Sequence, residues 1–310
     1  MRVCLMIEGQ EGVTWDEWVA LARAAEEAGL DGLFRSDHYS AIVQPLAGSL
    51  DAWATLAALA PLTSTLRLGT MVSPTTFRHP SVLARMATSV DHMSGGRVEL
   101  GMGAGWYERE HLENGIPYLD GKARFELFAE QVEIVVRTWT EESFDHDGDA
   151  YTLRNQTALP KPLQQPHPPL ILGGAAKRRA AALAARFASE YDTGDSSPAE
   201  LRVKRDRLDA ACEEIGRDPA TLPMSMMVTA VVGRDRAEVD ERLARVRELL
   251  GGFPMGNQQN WVRGTVDDVL EQFAGLEAAG VSRVFLQHMN HRDLDSVAVM
   301  GEIARASASG

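Results

Sequence analysis

From Leu66 to Trp106 the chain reads as a strand, a helix and a second strand, and this unit restricts the fold more than any other stretch. Leu66 to Val72 is short, apolar and rich in β-formers, and Pro74 ends it because a proline cannot continue a central strand. From His79 to Met93 the residues Val82, Leu83, Met86, Ala87, Val90 and Met93 recur at three- and four-residue spacing, with Pro80 suited to the first helical position. Gly95 and Gly96 break that helix, and Val98 to Met102 forms a strand running into Gly101, Gly103 and Gly105. A crossover of this length demands parallel, right-handed pairing of buried strands, and ligands of such sheets and barrels sit past the strands' carboxyl ends. Those ends are Val72 to Thr76 and Gly103 to Trp106. Their glycines either make tight turns or let a flat ligand approach the backbone.

The rest of the chain repeats the unit. Val3 to Glu8 reads as the first strand, and Thr14 with Glu17 forms a capping-box pattern before a helix whose buried face is Trp15, Trp18, Val19, Ala22, Ala25 and Ala28. Leu33 and Phe34 carry a second strand into Arg35-Ser36-Asp37-His38-Tyr39, and a helix follows from about Asp51 to Ala60. Phe125 to Trp139 is amphipathic, and Asp147-Gly148-Asp149 marks a turn between two short extended pieces. Residues 159–169 hold five of the 14 prolines and read as an extended surface crossing. Strands are predicted at Leu170 to Leu172, around Glu190-Tyr191-Asp192, and at Met224 to Val232, with helices at Pro198 to Ile215 and Ala237 to Leu250. Thr265 to Gln287 echoes Thr14 to Ser36, and Leu294 to Ala306 closes the chain as a helix. About eight strand–helix units in 310 residues predict one (β/α)8 TIM-barrel domain over 1–310, with insertions at the carboxyl mouth near 106–122, 140–169 and 251–264.

Composition excludes several partners. Acidic residues outnumber basic ones 44 to 31, for a formal charge of −13, which disfavours nucleic acid and anionic membranes. No apolar run approaches membrane-spanning length and the N-terminus resembles a strand, so a cytoplasmic protein is expected. Cys4 and Cys212 stand far apart without metal-ligand spacing and read as core thiols.

The candidate chemistry gathers at strand ends. His38 can exchange a proton near neutral pH or serve as a structural hydrogen-bond partner. Glu8 either faces the mouth or is solvated. Trp106 is an apolar plate for a planar ligand, or core. His79 reads as a helix cap. His288 and His291 flank a mouth position with no third metal ligand nearby, so no metal is expected. The segment Gly173-Gly174-Ala175-Ala176 leads to Lys177-Arg178-Arg179 at a helix start, where cations oppose the helix dipole. That is a solvated basic face, or a site for a phosphate or carboxylate.

Four motifs taken together resemble the luciferase-like flavin and coenzyme F420-dependent oxidoreductases, especially the F420 branch. They are Ser36-Asp37-His38, Gly69-Thr70-Met71-Val72 with the following Thr-Phe-Arg-His-Pro, the run from Ser94 to Trp106, and Ile171-Leu172-Gly173-Gly174 before the basic helix start. The resemblance implies a TIM barrel with the flavin or deazaflavin at its mouth, over a non-prolyl cis peptide at Met71-Val72. It implies Asp37 as a cofactor contact and His38 as the catalytic or substrate-facing residue. From their strand-end positions Glu8, Trp106 and His288 are the candidates to line the substrate pocket, while the resemblance assigns the cofactor's linker and phosphate to Gly105 and the segment Gly173 to Arg178. It further implies F420-dependent hydride transfer to or from a small organic substrate. The alternative is an FMN-dependent monooxygenase served by a separate reductase. Relatives are often homodimers. Trp106 stands where sugar-phosphate oxidising relatives carry a glutamate, and Glu190-Tyr191-Asp192 stands where relatives commonly show a Gly-Trp-Asn-like strand end, so the resemblance does not extend to those contacts. A metal-dependent barrel hydrolase lacks support because no His-x-His follows the first strand. A non-catalytic cofactor-binding protein is the remaining competitor.

Overall fold

The computed structural model describes residues 1–44, 46–254 and 256–309. In chain order the elements are β1 (Arg2–Ile7), α1 (Trp15–Glu27), β2 (Gly32–Arg35), α2 (Ala52–Leu59), β3 (Arg67–Thr70), β4 (Ser73–Pro74), α3 (Pro80–Ser94) and β5 (Val98–Gly103). Then come α4 (Glu108–Glu113), α5 (Gly121–Thr140), β6 (Phe144–Asp147), β7 (Thr152–Gln156), β8 (Leu170–Gly173), α6 (Arg178–Phe187), β9 (Glu190–Asp192) and α7 (Pro198–Glu214). The chain finishes with β10 (Met224–Val232), α8 (Arg236–Leu250), β11 (Val262–Gly264), α9 (Val266–Ala278), β12 (Val281–Gln287) and α10 (Leu294–Ser309).

Eight parallel strands close a barrel in the order β1, β2, β3, β5, β8, β9, β10, β12, with β12 returning to β1 and Met224 on β10 opposite Tyr191 on β9. This is the (β/α)8 barrel predicted from the repeating unit. β4 continues from β3 to pair with the end of β5, β11 adds beside β10, and β6–β7 form a separate antiparallel hairpin.

Local signals set many boundaries. Thr14 and Glu17 exchange reciprocal capping bonds at α1, and Ser197 with Glu200 does the same at α7, each cap contributing about 1 kcal/mol. His79 caps α3 through its Nδ1, which accepts from the Ser81 amide at 3.2 Å, and Gly95 closes that helix at φ +68°. Some expectations fail where burial depends on distant partners. Trp15, Val82 and Met93 are exposed rather than core, because the barrel meets α1 through Trp18, Leu21, Ala22 and Ala25 and meets α3 through Leu83, Ala84, Ala87 and Val90. The 106–122 insertion contains α4. The 251–264 insertion ends in β11; its Met255 lies outside the described residues.

The strands' two faces separate cleanly. Val3, Leu5, Ile7, Leu33, Leu68, Leu100, Leu172, Met226 and Leu286 pack outward against the helices, whereas Cys4, Met6, Phe34, Met71, Ile171 and Phe285 fill the barrel interior. Gly32 and Gly69 leave room for the Phe34 ring, which an added Cβ at either position would strike. Beneath this plug lies a floor of buried charge. Arg283 donates two bonds to Glu99 at 3.1 and 2.8 Å and one to Glu190 at 2.9 Å, while Arg67 also pairs with Glu99. The Phe34 and Phe285 rings flank the Arg283 guanidinium at 5.4 and 4.5 Å. Burial works against the Glu99 anion, but Arg283 and Arg67 outweigh it and hold its pKa below the usual range. For Glu190, burial wins over its smaller share of Arg283 and pushes the pKa up.

Replacing one member of such a group leaves opposite charge buried and uncompensated, at a cost of about 3–5 kcal/mol. Arg283→Met is therefore expected to lower unfolding stability by that amount in urea titration. An unchanged midpoint would show that the floor charges are not braced by this residue.

Candidate active site

The carboxyl ends of the barrel strands bring together segments far apart in the chain. β1 delivers Glu8, β2 delivers Ser36-Asp37-His38, β3 delivers Met71-Val72, and β5 delivers Gly103 to Trp106. The Met71-Val72 peptide is cis. Glycines make the close approach possible: a Cβ at Gly101 would run into the Thr70 carbonyl, and one at Gly103 would lie 2.6 Å from Val72 Cγ2. Gly105 turns at φ +78° against Thr76 and Pro74.

Asp37 is sealed beneath this surface. It is 1% exposed, and its carboxylate accepts from Arg78 at 2.6 and 3.2 Å and from Ser73 Oγ at 2.8 Å. Arg78 also bonds Asp51 at 2.8 Å, so one guanidinium ties the ends of β2, β3 and α2 together. Asp37 thus fixes the backbone that carries the next residue, His38. The His38 ring bonds Glu110 through Nδ1 at 2.8 Å, and the other Glu110 oxygen accepts the Tyr39 amide at 3.0 Å. Glu110 is buried, on the short helix α4. Burial alone would lower the His38 pKa, but the hydrogen bond and charge of Glu110, with smaller contributions from Glu8 and Asp37, raise it above the ordinary value. Because a carboxylate accepts, Nδ1 donates. Nε2 makes no bond to any described residue and is the ring atom left to meet a ligand. Trp106, 59% exposed, presents its ring edge-on to His38 at 5.8 Å and is a plate at the rim rather than core.

Glu8 continues the inward parity of Cys4 and Met6. Gln287 donates to one of its oxygens and Gln10 to the other at 2.8 Å. Both amides are oriented from behind: Thr229 Oγ1 lies 2.6 Å from Gln287 Oε1, and Ser36 Oγ, which accepts the Gly9 amide at 3.0 Å, donates to Gln10 Oε1 at 2.5 Å. Next to it, buried Glu11 accepts the amides of Ile42, Val43 and Gln44 at 2.8 to 3.0 Å. Val43 packs toward the cluster of Val231, Trp261 and Met289, so the segment after β2 is strapped along the rim.

At the α6 start, Lys177 occupies the cap position and no side chain bonds the first helical amides. Gly174 at φ +132° and Ala176 at φ +46° bend the approach, with the Ala176 amide held by Tyr191 Oη at 3.0 Å. Among the described residues Lys177 and Arg178 have no ion-pair partner, whereas Arg179 lies over Phe125 at 4.5 Å and reaches Glu126 at 3.5 Å. Uncapped amides, a glycine-bent approach and two free cations fit a phosphate group.

The structure does not bring His288 to the mouth. Its parity is opposite to that of Phe285 and Gln287, so it turns into the helix layer, where Nε2 donates to the Asp293 carbonyl at 3.1 Å and burial lowers its pKa to about 4. Gln287, one residue earlier, takes the inward place. Sequence reading passed over Gln287, Glu110, Glu11 and Arg78. Counting inward parity forward from Phe285 would have found the first; the others act across long sequence separations. No helix among the described residues is long and apolar enough to cross a membrane, and no group of three or more metal-ligating side chains is found among them.

Known proteins share this fold. An F420-dependent secondary alcohol dehydrogenase superposes with TM-score 0.85 at 19% identity, covering 99% of this chain and 98% of that one. A monooxygenase from Streptomyces bottropensis superposes with TM-score 0.84 at 22% identity, covering 99% and 100%. In sequence, an uncharacterized protein of Mycobacterium tuberculosis is 32% identical over 213 residues, 66% of this chain and 70% of its own length. The FMNH(2)-dependent dimethylsulfone monooxygenase of Pseudomonas putida is 25% identical over 211 residues; the match spans 64% of this chain and only 58% of that enzyme. Residues 2–266 match the luciferase-like monooxygenase family model, and the chain belongs to that family.

Proposed function

We propose that this protein is an F420-dependent oxidoreductase that moves a hydride between the deazaflavin and a small organic substrate. The observation that carries the reading is the His38–Glu110 couple, with its free Nε2, set beside Trp106 and the glycine-lined end of β5. The deazaflavin, when bound, supplies the hydride-accepting or hydride-donating carbon. Lys177, Arg178 and the open α6 amides would hold its phosphate, and Gly103, Gly105 and Val72 would let the planar ring approach the backbone. His38 holds a proton at Nε2 and delivers it to, or takes it from, the substrate heteroatom, and Glu110 keeps the imidazole in the donating form. Asp37 positions this segment through Arg78. A superposable F420-dependent alcohol dehydrogenase supports the assignment. The competing reading, an FMN-dependent monooxygenase fed by a separate reductase, is favoured by the sequence match to the dimethylsulfone monooxygenase. The proposal also takes the protein to be cytoplasmic and homodimeric.

Titration with F420 and with FMN, followed by absorbance and fluorescence, tests the cofactor. F420 binding without FMN binding is expected, and the reverse would replace hydride transfer by oxygen chemistry. Lys177→Ala with Arg178→Ala should weaken cofactor binding about tenfold, more at low salt where charge is least screened. Unaltered affinity would return these cations to a solvated face.

His38→Ala should leave cofactor affinity near wild type and cut turnover about 10²–10⁴-fold, the usual contribution of proton transfer. The Glu110 partner raises the His38 pKa, so their pairing is complete below pH about 6.5 and fades as pH rises through the raised value. Glu110→Gln should accordingly move the basic limb of the rate profile to lower pH. A limb that stays in place would remove Glu110 from control of that proton.

A further inference from the structure

We infer that Glu8 makes the barrel mouth selective for a small substrate bearing a cationic nitrogen, an ammonium or iminium group. This rests on the reading of the mouth as the substrate site and goes beyond it by naming the substrate's charge.

The inference comes from the pairing of charges around the mouth. Arg78 is matched by Asp37 and Asp51. Arg35 turns outward, its guanidinium lying over Trp18 at 4.7 Å and bonding Thr55 Oγ1 and the Leu50 and Ser36 carbonyls. Arg283 is spent on Glu99 and Glu190 below the apolar plug. His38 has Glu110. Glu11 has no cation either, but its oxygens are occupied by the amides of Ile42 to Gln44. Glu8 alone combines an inward position and partial exposure with no ion pair among the described residues; its charge reaches His38 and Arg35 only at longer range.

Its hydrogen-bond partners are both neutral donors. Gln287 and Gln10 offer amide donors to opposite oxygens, and Thr229 and Ser36 keep those amides turned the right way. Two neutral donors do not cancel a carboxylate's charge, and one bond to each oxygen leaves further acceptor capacity on a partly exposed side chain. A positively charged group entering there gains Coulomb energy that a neutral isostere does not, and the exposed Trp106 ring adds a face suited to cations.

The test is isothermal titration of the purified chain with piperidine, a cation at pH 7, and with tetrahydropyran, its neutral ring isostere. Each is run alone and after saturation with F420 or FMN. The expected result is piperidinium binding at least about tenfold tighter than tetrahydropyran, or about 1.4 kcal/mol. In Glu8→Gln that ratio should fall to about one with tetrahydropyran affinity unchanged; Glu8→Ser serves if the glutamine variant misfolds. Equal affinity for the two probes in the wild type, binding of neither, or a ratio that survives both substitutions would overturn the assignment. A cation preference that depends on Glu8 in a chain that binds neither F420 nor FMN would sink the proposed function and leave this inference standing.

Discussion

One guanidinium at the closed end of the barrel braces three of its strands. Arg283 on β12 reaches Glu99 on β5 and Glu190 on β9, and through Glu99 the brace extends to Arg67 on β3. These residues have to point inward to meet. Since alternate strand residues share a face, their meeting fixes which later residues reach the mouth: Phe285 and Gln287 above Arg283, Gly101 and Gly103 above Glu99, and Asp192 above Glu190. A slip of one residue in any of these strands would pull a charge out of the floor and turn mouth residues into the helix layer. Packing of Phe34 and Phe285 on the guanidinium then separates the charged floor from the mouth.

Above that plug the chemistry is divided among carboxylates given different partners. Asp37 meets Arg78 and becomes part of the frame. Glu110 meets His38 and holds a proton on the ring. Glu11 meets three backbone amides and holds the rim segment. Glu8 meets two carboxamides and makes no ion pair among the described residues. In a chain with a formal charge of −13, the partner each acid receives decides its role, and residue type alone does not.

Much of this architecture was legible in the sequence because it depends on local chemistry. The capping box at Thr14, Pro80 at a helix start and Gly95 at its end need only neighbours a few residues away, as does the two-residue period of the strands. The errors share another cause. Val82 and Met93 carry the right periodicity for α3, yet the barrel covers a narrower stripe than the apolar pattern suggests. His288 was placed at the mouth because it follows a strand, and one step of parity sends it the other way. Arg78 with Asp37 and Glu110 with His38 are 41 and 72 residues apart, and no local pattern announces either pair. The α6 approach shows the opposite case: Gly174, Lys177 and Arg178 stand together in sequence, so the glycine-bent turn and the uncapped cations at the helix start could be seen before any fold was known.

The central claim is that His38, turned toward the mouth by Glu110, faces the reacting atoms of a cofactor whose phosphate sits on α6. A crystal structure of the protein with bound F420 tests it most directly. The account predicts phosphate density at the amides following Lys177, the planar ring over Met71-Val72, and His38 Nε2 open toward the space above the ring. Phosphate density elsewhere on the barrel, or a ring bound on the far side of Trp106 from His38, would contradict it.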